Sequence, residues 1–406
     1  VYVLRTHFAP KAAVVLAVLE LYNIVDRGMP WRGELVWTID WSGTVLVLVG
    51  PILAGAAAID TGRFARTGTG YLTAAPRAAR RVYLLSWAAA AVPAMAVHVA
   101  AVVAALVLSS PDSQLSAAPS AVVVLSQLCG IAFYAALGSV CGRFAGSVVG
   151  GPVAVILCIL LFWQFGTSTT KFSVLMFGRA TSSLLGLQYN SVYSLIQVGF
   201  LAVAALALIA VPVRVVSGRR RPPRAAALIL GIVVIGALLF APMIKIERFE
   251  RVSVAPTSCS GSQPVVCMSP DHERFLPSAE QSLARLYKGA AALGVTDLLA
   301  PHVKERVPGE GPARDGQGRF QIPVDSFRSG ELTPFELAND LVVPYHCPEL
   351  YGDRPPSFQF GENLRRASNT LLAASGYRVD APPEEAPMST AELRSVLTGF
   401  KSCRLT

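Results

Sequence analysis

The sequence predicts an α-helical polytopic membrane protein of about seven transmembrane helices, followed by a mostly helical α+β extracytoplasmic domain. Three observations predict it. The chain has 406 residues, 53% apolar and only 15% charged, where soluble domains carry about 25% charged residues. The shortage of charge is uneven. Residues 1–244 hold 17 Lys/Arg and 6 Asp/Glu, and residues 245–406 hold 18 and 20, so the net charge of +9 divides into +11 and −2. Finally, charge-free apolar runs of about 20 residues recur through the first part, the length that crosses a hydrocarbon core about 30 Å thick.

Taken in order, the runs are 9–25, 41–59, 82–111, 118–142, 144–165, 189–213 and 225–244. The first is interrupted by Glu20. It is read as a span and not as a signal peptide, because its basic flank is weak and no small-residue cleavage pattern precedes Trp31. With seven spans the connecting segments alternate sides. One set carries Arg5, Lys11, Arg63, Arg66, Arg77, Arg80, Arg81, Arg143, Arg214, Arg219, Arg220, Arg221 and Arg224; the other carries Arg27, Arg32, Lys171 and Arg179. Short loops rich in Lys and Arg stay cytoplasmic. That places the N-terminus inside and residues 245–406 outside. Arginine outnumbers lysine 29 to 6, as in GC-rich bacterial genomes, so the membrane is read as a bacterial plasma membrane.

The cysteines divide along the same line. Cys129, Cys141 and Cys158 lie in or beside spans, where cysteine acts as a small apolar residue. Cys259, Cys267, Cys347 and Cys403 all fall in the segment placed outside, which suggests two disulfides. Three pairings are possible. The hairpin-like SGSQP turn favours Cys259–Cys267, and Cys347–Cys403 would then tie down the tail. A metal site is disfavoured because no short Cys-x-x-Cys pair is present.

The stretch ALGSVCGRFAGSVVGGPVA repeats glycine every fourth residue, at Gly138, Gly142, Gly146 and Gly150, around Arg143. Glycines four apart line one helix face and let a second helix approach closely, which matters in lipid because helix association there depends on packing. The run covers the end of the fourth span, a short cytoplasmic turn marked by Arg143, and the start of the fifth. Two readings are open: general small-residue packing, or a tight hairpin against a neighbouring protomer or bundle.

With its inside N-terminus, basic loop after span two and glycine-rich turn between spans four and five, the six-span region 1–216 resembles the permease subunits of type-2 ABC (ATP-binding cassette) exporters. The resemblance implies a short cytoplasmic helix within residues 62–81, ending in TAAPRAARR. That helix would dock on a separate ATP-binding subunit through Arg77, Arg80 and Arg81. It implies a homo- or heterodimer of permease subunits in the bilayer. The segment 217–244, a basic loop and a seventh span, and the extracytoplasmic domain 245–406 depart from that pattern. The whole arrangement is similar to actinobacterial membrane proteins that couple a permease-like body to a C-terminal domain. No P-loop is encoded: RTGTGYLT and PGEGPARDGQGRF lack the Lys-Ser/Thr that holds phosphate. Energy would come from the separate subunit, and no cofactor is read in this chain.

Polar residues inside spans are costly in hydrocarbon and so are candidate functional groups. Glu20 either lines a cavity or reaches headgroup water near Tyr22 and Asp26. His98 is either proton-sensitive or a neutral, hydrogen-bonded histidine in the bundle. Gln127 and Gln197 either bond between helices or line a cavity. No ladder of Asp, Glu and Lys crosses several spans, which argues against a proton-driven antiporter.

In the outer segment, helices are expected at 275–294, at 333–346 from the capping box Thr333–Glu336 with Pro334 at the first helical position, at 360–376, and at 389–400 from the capping box Ser389–Glu392. QPVVCM and RFQIPVDSF read as extended and 381–387 as a loop. His272–Glu273 lacks the second histidine of a zinc-protease helix, and no G-x-S-x-G elbow occurs. His346 beside Cys347 does not make a thiol catalyst, since neighbours on a chain point apart. The basic charge is loop charge without an aromatic-interleaved patch, so nucleic acid is not an expected partner. Two functions are expected: an exporter's membrane subunit moving a hydrophobic or peptide-like compound, or a non-transporting anchor whose outer domain binds, senses or scaffolds.

Overall fold

The computed structural model describes residues 8–64, 76–110, 117–167, 172–210, 214–216, 219–221, 245–307, 310–313, 316–351 and 357–405. The chain divides into two compact units between Glu250 and Arg251, and the second unit also takes in the connector Arg27–Glu34. The seventh span expected at 225–244 lies outside the described residues.

The first unit is built of helices α1 (Ala9–Val25), α2 (Leu35–Thr44), α3 (Leu46–Arg63), α4 (Pro76–Ser109), α5 (Ala117–Phe165) and α6 (Ser191–Ala210). Four helices among the described residues are long and apolar enough to cross a membrane: α2–α3 taken together, α4 from Arg80, α5 and α6. Their outward faces carry exposed Val, Leu and Ile, including Val107, Val148, Leu160 and Leu206. A soluble monomer rarely leaves apolar area that large in water. The buried faces mix large side chains such as Leu46, Leu53, Ile131 and Tyr134 with many small ones: Ala54, Ala57, Ala58, Ala90, Ala91, Ala135 and Ala136. Small residues at helix contacts let helices associate in lipid by close backbone approach.

The glycine run shows how. α5 is 49 residues long, and its helical geometry breaks at Gly146, where φ is 77° and ψ 179°. A positive φ suits glycine because it has no Cβ to clash. The chain reverses there. A Cβ on Gly150 would lie 3.0 Å from the Cys141 carbonyl oxygen, whereas residues nine apart on a straight helix sit about 13 Å apart. The two arms flank α3. A Cβ on Gly138 would meet the Ala54 carbonyl at 2.0 Å, one on Gly142 the Ala58 carbonyl at 2.2 Å, and one on Gly151 the Ile59 side chain at 3.3 Å. α3 answers with its own four-residue ladder, Gly50, Ala54, Ala58 and Gly62, and Gly62 packs on the turn at Gly146 and Ser147. The stripe therefore serves packing within the chain. Arg143 departs from expectation. It is 1% exposed, lies over the Tyr83 ring at 4.3 Å and donates to the Ile209 carbonyl near the end of α6. The turn is at Gly146, and the arginine neutralises a helix C-terminus.

α4 opens at Pro76, so residues 76–81 form the first turns of the third-span helix. They do not close a separate helix as the resemblance implied. Residues 65–75 are outside the described region. α1 has no cap of its own. Asp60 of α3 accepts from the backbone N–H groups of Phe8 and Ala9, both at 2.6 Å, so a carboxylate from another helix satisfies orphan donors at a helix N-terminus. A short antiparallel pair, β2 (Arg214–Val216) with β3 (Arg219–Arg221), follows α6, and another small sheet joins β1 (Leu187–Tyr189), which precedes α6, to β4 (Phe249–Arg251).

The second unit centres on a mixed sheet in the order β5 (Ser258–Ser260), β6 (Val265–Met268), β7 (His302–Glu305), β8 (Gln317–Phe320). β5 and β6 are antiparallel, with Cys259 opposite Cys267; β6–β7 and β7–β8 are parallel. Helices α7 (Leu276–Ala292), α8 (Val324–Ser329), α9 (Pro334–Val342), α10 (Phe358–Ala374) and α11 (Thr390–Lys401) follow the expected pattern closely. The exception is RFQIPVDSF. Its strand stops at Phe320 and α8 begins at Val324, because Pro323 provides no N–H for a ladder and suits a helix start. The core joins Val266, Met268, Val303 and Phe320 of the sheet to Phe275, Leu283, Leu286, Leu371 and Leu397.

Candidate functional site

Three of the four candidate in-span polar residues meet inside the first unit. His98 Nδ1 of α4 lies 2.7 Å from Glu20 Oε1 of α1, and His98 Nε2 lies 3.1 Å from Gln127 Oε1 of α5. Gln127 Nε2 in turn donates to the Ile39 carbonyl of α2 at 3.1 Å. Glu20 is 2% exposed and His98 and Gln127 are 0% exposed. Of the readings open for Glu20, headgroup water is replaced by a buried partner. Burial of such a chain is tolerated only when each group is hydrogen-bonded. Glu20 Oε2 departs from that rule: it is buried and has no hydrogen-bond partner among the described residues. Gly43 makes room for the chain, since a Cβ there would fall 2.5 Å from Gln127 Nε2 and 2.2 Å from the Phe177 carbonyl oxygen.

Gln197, the fourth residue, serves a different group. It donates to the carbonyls of Val174 and Met176, at 2.9 and 3.1 Å. Those carbonyls belong to the irregular segment 172–177, which is buried throughout. Non-helical backbone inside an apolar body needs side-chain partners. Tyr193 supplies another by donating to the Ser173 carbonyl at 2.8 Å, and Arg248 another to Phe177 at 2.7 Å.

Asp40, absent from the sequence-based set, fixes the next part of the same segment. Its Oδ1 pairs with Arg248 Nη2 at 2.7 Å, and its Oδ2 accepts from the backbone N–H groups of Arg179 and Ala180 at 2.8 and 2.7 Å. Asp40 and Asp60 sit one residue outside the charge-free run 41–59, which is why a span search passes over both. The signal in the sequence was their position as single acids at the ends of an apolar run.

In the second unit the charged centre is His272. Its Nδ1 bonds Glu305 Oε1, and its Nε2 lies 2.8 Å from Glu34 Oε1. Ser269 N–H donates to the other Glu305 oxygen at 2.9 Å. All three side chains are buried. Burial pushes the imidazole down, but the Glu305 and Glu34 carboxylates more than offset it and raise His272 to about 10. The cation is therefore held between two anions. Arg274 adds a contact to the connector through the Pro30 carbonyl at 3.3 Å, and at Gly33, with φ 92°, a Cβ would overlap the Asp271 carbonyl oxygen at 1.9 Å. Partners 238 and 33 residues from His272 leave no local signal, so Glu34 and Glu305 were not legible.

Both favoured disulfides are present, Cys259–Cys267 with S–S 2.09 Å and Cys347–Cys403 with S–S 2.08 Å. His346 stands beside the second, with Nε2 donating to the Lys401 carbonyl at 3.1 Å. These three side chains offer atoms within 4.8 Å of one another, but sulfurs bonded to each other have no thiolate to give a metal. Arg80 and Arg81 are exposed at the start of α4; Arg77 lies on the same helix, with its side chain outside the described part. No family model matches the chain, and no curated protein or solved structure matches it either.

Proposed function

We propose that the chain is the membrane-embedded, permease-like subunit of an ABC-type exporter, moving a hydrophobic or peptide-like compound outward with energy from a separate ATP-binding subunit. The observation that carries the reading is the reversal of α5 at Gly146. On this reading the first unit makes six passes: α1, α2–α3, α4, the two arms of α5, and α6. Both termini of that set then fall on one side, and the basic loop before α4 falls on the same side as the turn at Gly146. The lysine and arginine excess makes that side cytoplasmic, where Arg77, Arg80 and Arg81 offer a positive docking surface.

The test is co-purification of the full chain with an ATP-binding subunit encoded next to it, for the native chain and for Arg80→Glu/Arg81→Glu. The expected result is a stable complex that the double reversal weakens at least tenfold. Failure of any such subunit to bind, or equal binding by the reversed chain, overturns the reading.

One observation favours the second reading, an anchored outer domain that binds or senses. The connector Arg27–Glu34 belongs to the second unit and is fixed there by His272, Arg274 and the close approach at Gly33. A domain that takes hold of the chain between α1 and α2 has a built-in link to those helices through covalent connectivity alone.

A further inference from the structure

Hydrogen-bond direction sets how many protons the Glu20–His98–Gln127 chain holds. The Ile39 carbonyl can only accept, so the group of Gln127 facing it at 3.1 Å must be the amide N–H. That fixes the amide and turns Oε1, an acceptor, toward His98 Nε2 at 3.1 Å. Nε2 must therefore carry hydrogen. The remaining nitrogen, Nδ1, faces Glu20 Oε1 at 2.7 Å, and a bond of that length needs a proton between the two atoms. It sits on the carboxyl, as a neutral acid donating to Nδ1, or on Nδ1, as an imidazolium paired with a carboxylate. Without it, a carboxylate would face the Nδ1 lone pair in a buried site. With a second, a buried imidazolium would face a neutral acid. The bare Oε2 points the same way. A buried carboxylate oxygen without a donor is more costly than the carbonyl oxygen of a neutral acid.

We infer that Glu20 and His98 form a single-proton binding site inside the helical body, and that the bound proton holds α1 against α4. The proton is the ligand. It passes between Glu20 Oε1 and His98 Nδ1 without leaving the site, and its departure puts two electron pairs face to face and releases α1. The other charged groups on the packed elements are already engaged. Asp40 on α2 is paired with Arg248, Asp60 on α3 accepts from the start of α1 and pairs with Arg63, and Arg143 on α5 lies over Tyr83 of α4. Lys11 near the start of α1 and Arg80 and Arg81 at the start of α4 are nine or more residues along their helices from the pair. The inference is independent of the exporter reading: a chain that bound no ATP-binding subunit would keep the site.

Two measurements on the full chain in lipid nanodiscs test it. Nitrogen-15 NMR of histidine-labelled protein, with His98 assigned by its loss in His98→Gln, should show Nε2 protonated at neutral pH and Nδ1 in a strong hydrogen bond. A bare Nε2, or a ring averaging between tautomers as in water, overturns the proposal. Hydrogen exchange over α1 at one fixed pH is the second. Glu20→Gln keeps a donor toward Nδ1 that no base removes. Protection of residues 9–25 should fall at least tenfold in Glu20→Leu, which offers no hydrogen toward Nδ1, and stay level in Glu20→Gln. Equal protection in the two variants overturns the role of the proton in holding α1. If Glu20→Gln does not fold, the NMR result on the native chain decides.

Discussion

At the level of single residues, three glycines of one stripe carry two different constraints. Gly138 and Gly142 face backbone carbonyls at distances no Cβ can occupy, whereas Gly146 has open space but a left-handed backbone. Gly138→Leu should therefore destabilise the first unit by about 1–3 kcal/mol or block its assembly. Gly146→Ala should cost about 1–2 kcal/mol, from backbone strain alone. Thermal unfolding in detergent separates the two, and a harmless Gly138→Leu would remove α3 from the contact. His272 gives the pH prediction. Its folded value, raised to about 10 by Glu305 and Glu34 against the opposing effect of burial, lies above the ordinary 6.5. The folded state holds a proton that the unfolded chain loses. The stabilisation is thus fully present below about pH 6.5 and is lost as pH rises toward about 10, with a slope of up to about 1.4 kcal/mol per pH unit. Unfolding of the second unit, followed by its near-ultraviolet signal, should show that loss. His272→Leu should remove the slope and cost about 3–5 kcal/mol by leaving two buried carboxylates together.

The helices and strands were legible to the extent that their signals were local. α9 and α11 start where Thr333 and Ser389 stand, and Ser389 Oγ accepts from Glu392 N–H at 3.3 Å. Ser389→Ala should lower stability by about 1 kcal/mol. β7 was not legible. It is a four-residue strand, HVKE, whose charged Glu305 is buried because its partner His272 comes from elsewhere in the chain. The polar chain in the first unit was half legible: Glu20, His98 and Gln127 stood out as polar residues in apolar runs, but their meeting follows from packing that no single run encodes. The disulfides also differ at this scale. Cys347–Cys403 joins residues 56 apart and Cys259–Cys267 residues 8 apart. On loop entropy, removing the first pair should cost about 4 kcal/mol and the second about 2.5 kcal/mol. A paired comparison of Cys347→Ser/Cys403→Ser with Cys259→Ser/Cys267→Ser by thermal unfolding checks the order.

For the molecule as a whole, the proposed outward placement of the segment after residue 245 rests on where lysine and arginine fall. Protease added to intact cells should remove the segment after residue 245 and leave α1 to α6 in the membrane. A tail that survives in intact cells but is cut in inverted vesicles would reverse the map. The division into an apolar body and a polar unit was visible in charge alone. That the second unit reclaims Arg27–Glu34 was not, because the sequence shows only a short loop, and its ownership depends on one buried histidine far downstream.

The evenly spaced small residues of α3 have a consequence for alignment. A ladder whose rungs repeat every four residues looks the same after a slide of one rung, about 6 Å along the axis, so Gly138 and Gly142 by themselves do not choose a setting. Tyr134 does. Its ring lies where a Cβ on Gly50 would be, 2.6 Å from the nearest ring carbon, and one rung further along the notch is Ala54, which has a methyl in the way. One aromatic wedge thus works as the key that picks a single setting from a scale of identical marks.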